Sequence, residues 1–532
     1  MIEQASHRER GEAQGNDWSA FLEAVHTSVH ASCCGAGGSG AASAARAPLP
    51  HALLVEGRAA WESKVVRRAP LVPFNRLPFV LPAMRVHQPG ESASAPVDLL
   101  IADGRIASIA PAGALEARAP VVKALRGQVV TPALSDLHVH MPAATALRLT
   151  PLFLLLTLRH GIVRVRDAGD PDGSATPAAL ACVTSGALPG PDIHYAYAFV
   201  GDGPQRWGNS LRCAAVSDAA PIVARLARAG ARWVKAYENL DAPRIAALVR
   251  AADEAGLGVM GHVPTTLSVE DALLPDAQHG FGVPRPETLR RDHVLNRAID
   301  WASVTPDRIA QVVEACSRHR LAMTPTLSTS RNLMRMQRWQ AERRAVDVKL
   351  LPRMYPDVIW HPQHGLPAYR NIDAADFDRA RDAWDRKLAL TAALATAGVS
   401  LRLGTDTQQP FVVPGAAFHA ELEYFAEAGI GRDRAWGWAS EDAARVLGVT
   451  DTGRVKPGQR ADLLVSPTTP FGSRWTPQAI SATICDGALL MASDLDRAIA
   501  RELARFESRF GDHLSRWLAR FVLDRTARRF VG

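Results

Sequence analysis

The chain has few cysteines, and none of them forms a Cys-x-x-Cys pair. Cys33, Cys34, Cys182, Cys213, Cys316 and Cys485 are scattered through 532 residues. That pattern excludes a disulfide scaffold and points to a reducing compartment. No stretch reaches the roughly 18 consecutive apolar residues that a membrane span needs. The longest candidate, Leu152–Leu158, stops at Arg159. The opening residues, MIEQASHRERGEAQGNDW, hold no apolar segment of the kind a secretory signal carries. Nor is there a basic stripe interleaved with aromatics, so nothing argues for nucleic acid. The 61 Lys and Arg against 54 Asp and Glu give a formal charge of +7. Residues 496–532, with nine Arg and five acids, supply +4 of it, leaving +3 for the rest. These absences lead us to expect a soluble cytoplasmic protein without integral membrane contact.

With 47% hydrophobic residues the chain can build a sizeable core. At roughly 100–200 residues per domain the length allows two to four domains, or one barrel with insertions. Residues 1–67 read as a peripheral, partly disordered extension. Trp18–His30 could form a short helix, and Cys33–Arg46 runs into Gly, Ala and Ser. Gly35–Gly40 is a formal G-x-G-x-x-G, but neither a leading strand nor a closing acidic residue accompanies it, so it reads as a linker. Residues 68–130 read as β, with Val97–Ile109 alternating around Asp103-Gly104. Residues 451–492 read the same way around Asp486-Gly487. Both flanks are therefore expected to join in one small β-sandwich domain.

The middle, 131–450, alternates short apolar strands with Ala/Leu-rich helices. Eight strand candidates end near His140, Asp167, Phe199, Tyr237, His262, His279, Thr326 and Asp406. The expected class is α/β, with a (β/α)₈ TIM-type barrel. Residues 331–375 break this rhythm with Trp339, Tyr355 and Trp360, and an insertion of that length is usually functional. Residues 493–532 read as a basic amphipathic helix, or a pair broken near Gly511. Their stripe is Leu503, Phe506, Phe510, Leu514, Trp517 and Phe521. Packing on the same chain or on a second subunit of a homo-oligomer is the expectation, and an anionic membrane surface is the alternative.

The chemistry gathers at strand ends. His138 and His140 lie two residues apart, so on a strand both imidazoles face one side, a ready half-site for Zn²⁺. Alone, such a pair can equally be hydrogen-bonded and structural. Asp406 in Gly404-Thr405-Asp406 ends the last strand, where barrel active sites lie, though a turn or capping aspartate reads alike. Lys235 sits inside the apolar run Trp233–Tyr237, costly unless paired or modified, or else snorkelling outward. His262 and His279 each end a strand. Five strand ends would deliver these six groups to one mouth, and chance is a poor account of that.

The set resembles the metal-dependent amidohydrolase superfamily, in the branch of imidazolonepropionase-like enzymes and Xaa-Pro or Xaa-Arg dipeptidases. The resemblance spans about residues 97–490. It includes Gly161–Gly169 (GIVRVRDAG), Thr324-Pro325-Thr326-Leu327 and Val455–Leu463 (VKPGQRADL). It implies two divalent ions, Zn²⁺ foremost. His138, His140 and Asp406 would bind the buried one, and His262 and His279 the second. Lys235 would be a CO₂-derived carbamate bridging both. Asp406 would also be the general base, the metals lowering the pKa of a shared water. Tyr237, of the Lys-x-Tyr element, would touch a small or dipeptide-like substrate. The chain departs from the pattern at Pro132-Ala133, where Pro-Gly is usual, and at Ala277-Gln278, where Ile-Glu is usual. The implied reaction is hydrolysis of a C–N bond in an amide, dipeptide, urea or carbamate. Lactone or ester hydrolysis, or ring closure, would use the same site; a non-catalytic scaffold would have lost ligands, and none is lost.

Overall fold

The computed structural model describes residues 70–530 apart from 146, 204–206 and 291–294, with side chains described to residue 523. The expected N-terminal extension, its short helix and its Gly-rich run lie outside the described residues. Sixteen strands are seen among those described. They are β1 Phe79–Val86, β2 Val97–Ala102, β3 Arg105–Pro111 and β4 Val129–Pro132, then β5 Leu134–Val139, β6 Ile162–Asp167, β7 Asp192–Tyr195 and β8 Phe199–Gly201. After these come β9 Ser210–Arg212, β10 Trp233–Ala236, β11 Gly258–Gly261, β12 Asp276–Gln278 and β13 Ala322–Thr324. Last are β14 Leu463–Ser466, β15 Ala482–Cys485 and β16 Ala488–Met491.

Both flanks of the chain meet in one seven-stranded sheet, ordered β16-β15-β14-β4-β1-β2-β3. Asp103 and Gly104 both take positive φ, as do Asp486 and Gly487, so each hairpin turns through the residues the sequence offered for it. β1 changes partner along its length. Its first half pairs with β2 and its end with β4, with an irregularity between Leu81 and Met84 where Ala83 has φ 52°. Its own core gathers Phe79, Leu81, Leu99, Ile101, Ile106, Val130, Leu463 and Ile484.

The middle of the chain forms two parallel sheets, β5-β6-β7 and β13-β12-β11-β10-β8-β9. β5, β6 and β10 are buried at every position, although they carry Asp136, His138, Arg164, Arg166, Asp167 and Lys235 among their apolar residues. Three of the helices in this region start on side-chain caps. Asp241 accepts from the Arg244 amide, Thr305 from Arg308 and Asp373 from Asp376. Two of the eight expected strands differ. The third is broken into β7 and β8 at Ala196–Ala198, where Tyr197 takes φ 68°. The eighth shrinks to a parallel bridge, Met323 to Leu401. Backbone bonds still carry that segment across the gap: Met323 N to Ser400 O at 3.0 Å on one side, Leu137 N to Leu403 O at 2.9 Å on the other.

The C-terminal region is two helices, Ala492–Glu507 and Arg509–Phe530. The first packs on the helix Thr150–Arg159, where Arg159 Nε meets Asp496 at 2.6 Å. The second lies on the segment Tyr355–Ile359, Arg516 Nη2 reaching Asp357 at 2.8 Å. The single stripe expected from the sequence is therefore split. Leu503 and Phe506 pack inward, but the break at Ser508 resets the phase, and Ser515, Ala519 and Leu523 become the buried face. Trp517 is 57% exposed. Removing residues 496–532 uncovers the partners of Ile499, Phe506 and Leu523, at roughly 1.5–3 kcal/mol for each large side chain. The expected result is lost solubility or a changed elution volume. A truncated chain of unchanged size that lost only binding to anionic vesicles would favour a membrane role instead. No helix among the described residues is long and apolar enough to cross a membrane.

Candidate metal centre

β5 carries Asp136 and His138 on one side, as a two-residue period demands, and His140 follows at its end. Asp136 is fully buried beneath them. It accepts from the His138 amide (3.1 Å), the Thr405 amide (3.1 Å) and Thr405 Oγ1 (2.7 Å), tying β5 to the segment that carries Asp406. The two backbones come very close there. A Cβ added to Gly404 would stand 2.5 Å from His138 Cβ, so only glycine fits. Gly261 is held likewise, with Ala236 O 1.9 Å from where a Cβ would be. Asp406 adopts φ 60° and donates its amide to His138 O at 2.7 Å.

That turn aims the Asp406 carboxylate into a ring of imidazoles. Its Oδ1 is 3.2 Å from His140 Nε2 and 3.4 Å from His138 Nε2, and its Oδ2 is 3.9 Å from His279 Nδ1. His138, His279 and Asp406 offer ligand atoms within 4.8 Å of one another, a set that could hold a metal ion. His262 adjoins His279, ring centroids 4.8 Å apart. Lys235 is buried on β10 next to β11, and its Nζ donates to Gln278 Oε1. The structure thus brings all six residues expected from the sequence to neighbouring strand ends.

Three of the four imidazoles are held by their Nδ1 atoms. His140 Nδ1 donates to Gly169 O at 2.8 Å, and His262 Nδ1 donates to Glu238 Oε1 at 3.1 Å. His279 Nδ1 lies 2.7 Å from Thr326 Oγ1. At His140 and His262 such bonds put the proton on Nδ1 and leave the Nε2 lone pair available to a metal. Both ring nitrogens of His138 are buried without a hydrogen-bond partner. Orphaned buried polar atoms need an explanation, and a cation is one.

Burial drives the protonation states. It pulls His138 down to about 3, with Lys235 acting in the same direction, and does the same to His262. His279 falls well below its usual range, again through burial first. These rings are neutral at pH 7, the form that coordinates a metal. Burial works against the charge of Asp406, but His138, His140 and His279 outweigh it and hold the carboxyl well below the carboxylate range. Around His140 the Asp406 contact overrides burial and raises the pKa. Lys235 drops to about 7 through burial, with Arg166 adding to the fall against Asp406. The residues present fit a divalent cation.

Sequence reasoning did not find the partners. Glu238 follows Tyr237 directly, and besides His262 it holds Arg297, whose Nη1 lies 2.8 and 2.7 Å from its two oxygens. The motif Thr324–Leu327 turns out to serve His279, through Thr326 in a left-handed conformation. Glu421 locks that turn, accepting from the Leu327 amide (2.9 Å), the Ser328 amide (2.6 Å) and Ser328 Oγ (2.7 Å). Gln278, which stands where Glu is usual, engages Lys235 rather than His279. Tyr237 lies beside His262, ring centroids 4.6 Å apart, and receives the Trp207 indole N–H at 3.2 Å. Trp339 and Trp360 are buried.

A family model described as the amidohydrolase family matches residues 129–490, and the chain belongs to that family. It is an enzyme acting on carbon–nitrogen bonds. A comparison with curated proteins finds no match. Among solved structures, a bottromycin amidohydrolase is similar at 26% identity and a TM-score of 0.62, over 85% of this chain and 94% of that one. A Xaa-Pro dipeptidase with methionine bound in its active site aligns at 16% identity and a TM-score of 0.58, over 78% and 100%. The A. niger ochratoxinase aligns at 15% identity and a TM-score of 0.54, over 77% and 95%.

Proposed function

We propose that the chain is a metal-dependent amidohydrolase that cleaves the C–N bond of a small amide, dipeptide, urea or carbamate, with Asp406 as general base. The observation that carries this reading is the Asp406 carboxylate, held anionic among the imidazoles at the strand ends. In the same reading the backbone bonds running from β13 through residues 400–403 to β5 support a closed eight-position barrel. The switch of partners along β1 supports a small sandwich over residues 68–130 and 451–492. The hydrolase barrel then covers 131–450.

His138, His140 and Asp406 would hold one divalent ion, His262 and His279 a second, with Lys235 between them. Zn²⁺ suits a set of neutral imidazoles and anionic oxygens. Bound there, the ions would acidify a water and polarise the scissile carbonyl. With a pKa near 7, Lys235 is partly a free amine, which adds to CO₂ as a carbamate with release of one proton. The carbamate would turn a buried cation into a buried anion able to bind a divalent ion. Asp406 takes a proton from the attacking water as the C–O bond forms. It returns that proton to the departing nitrogen as the C–N bond breaks, so the base is regenerated. Tyr237, beside His262, offers a phenol to the substrate.

Elemental analysis and intact mass should give about two divalent ions per chain and a carbamate on Lys235. A fully loaded chain with one ion and unmodified Lys235 would leave a single site at His138, His140 and Asp406. Turnover on a panel of dipeptides and N-acyl amino acids, run beside a lactone panel, tests the bond. Cleavage of lactones alone would move the reading to ester chemistry.

A further inference from the structure

The 331–375 insertion docks on the turn that follows Asp406. Trp360 donates its indole N–H to Gln408 O (3.4 Å) and packs on Phe411, ring centroids 5.3 Å apart. Asn332 Nδ2 donates to Phe411 O at 2.9 Å. These contacts are buried and hold the insertion in place. Tyr369 makes a third contact of a different kind. It lies in the short turn Pro367–Tyr369, is only half-buried, and its phenol donates to Gln409 Oε1 at 2.7 Å. Gln409 is three residues beyond Asp406, and its amide bonds back to Asp406 O at 3.4 Å.

The Tyr369 phenol is also within electrostatic reach of the Asp406 carboxylate and the Tyr237 phenol. Tyr237 follows β10 and lies beside His262, ring centroids 4.6 Å apart, while Tyr369 comes from the insertion and is tied to the turn after Asp406. Burial first, then Asp406 and Tyr237, push the Tyr369 pKa far above its ordinary value, so the group stays a neutral donor at any working pH. A neutral donor tethered by one exchangeable bond to an amide side chain can turn to a better acceptor.

We propose that Tyr369 is a specificity-determining residue whose hydroxyl leaves Gln409 to donate to an anionic oxygen of an amide substrate bound over Asp406. The proposal rests on the reading of this site as an amidohydrolase centre, and it narrows the substrate class to carboxylate-bearing amides if the oxygen is a fixed one. That oxygen is either a fixed carboxylate or the one that develops as water adds.

Inorganic phosphate is a probe that needs no turnover. Titrated into the metal-loaded full chain by calorimetry, it should bind wild type roughly 10–100-fold more tightly than Tyr369→Phe, the worth of a hydrogen bond to a charged acceptor. Gln409→Leu, which removes the tether but keeps the phenol, should change the affinity little. Equal affinity in wild type and Tyr369→Phe overturns the proposal. So does an equal loss in both variants, which would make Tyr369 a tether of the insertion, and so does no phosphate binding to wild type. Kinetics on N-acetyl amino acids and their carboxamides separate the two oxygens. A KM raised by Tyr369→Phe for the acids alone identifies the carboxylate, and a lowered kcat for both identifies the developing oxygen. If wild type cleaves no amide while the phosphate difference stands, the amidohydrolase reading fails and the anion donor remains.

Discussion

Asp406→Asn lowers kcat by about 10²–10⁴-fold, the usual worth of a general base. Asparagine keeps the size of the side chain and one ligand oxygen, so the turn at φ 60° and the amide bond to His138 O survive. What it loses is the anion that sits 3.2 Å from His140 Nε2 and 3.4 Å from His138 Nε2. Weaker metal binding would add to the loss, so elemental analysis of the purified variant belongs beside the kinetics. Near-full activity with the metal content unchanged would mean that another group takes the proton.

The second large effect is on stability. Asp276→Ala should destabilise the chain by roughly 3–5 kcal/mol, because it leaves two arginines without their counter-charge in the interior. Asp276 Oδ2 is 2.7 Å from Arg166 Nη2 and 2.8 Å from Arg402 Nη1, and Oδ1 accepts from Thr324 Oγ1 at 2.7 Å. Arg166 lies over the Trp233 ring at 4.5 Å and donates to Leu137 O, so one carboxylate organises groups from β5, β6, β10, β12 and β13. Against a total stability of about 5–15 kcal/mol, such a loss brings the chain near unfolding. The pH dependence has a definite sign. Burial opposes the charge, but Arg402 and Arg166 override it and set the folded pKa of Asp276 below its unfolded value. Its contribution is therefore complete above the unfolded carboxylate range and lost as pH falls through and below it. Urea unfolding at neutral and acidic pH would read both effects. A midpoint unchanged from wild type would show the network to be dispensable.

Every residue of the candidate centre is visible in the sequence because each sits on, or just past, a strand. His138 and His140 face one way by period alone, and Lys235 draws notice because an ammonium inside an apolar run is costly. The hairpins at Asp103-Gly104 and Asp486-Gly487 are legible for an equally local reason: few residues accept positive φ twice in succession.

The residues that orient the ligands are a different matter. Thr326 reaches His279 only because the chain turns through a left-handed residue after β13, and Glu421 holds that turn from nearly 100 positions on. Gln278 meets Lys235 from a neighbouring part of the same sheet, and Tyr369 meets Gln409 across an insertion with no periodicity to read. The same limit applies to the split of the C-terminal stripe at Ser508, since helical phase carries on only while the helix does. By itself the sequence indicated the family, through its motifs, and the residues that gather in the candidate centre, because residue type and short-range period mark them at strand ends. Only the tertiary structure decided which groups touch which, because a hydrogen bond between distant segments depends on sheet register and loop conformation, and neither is set by the neighbours in the chain.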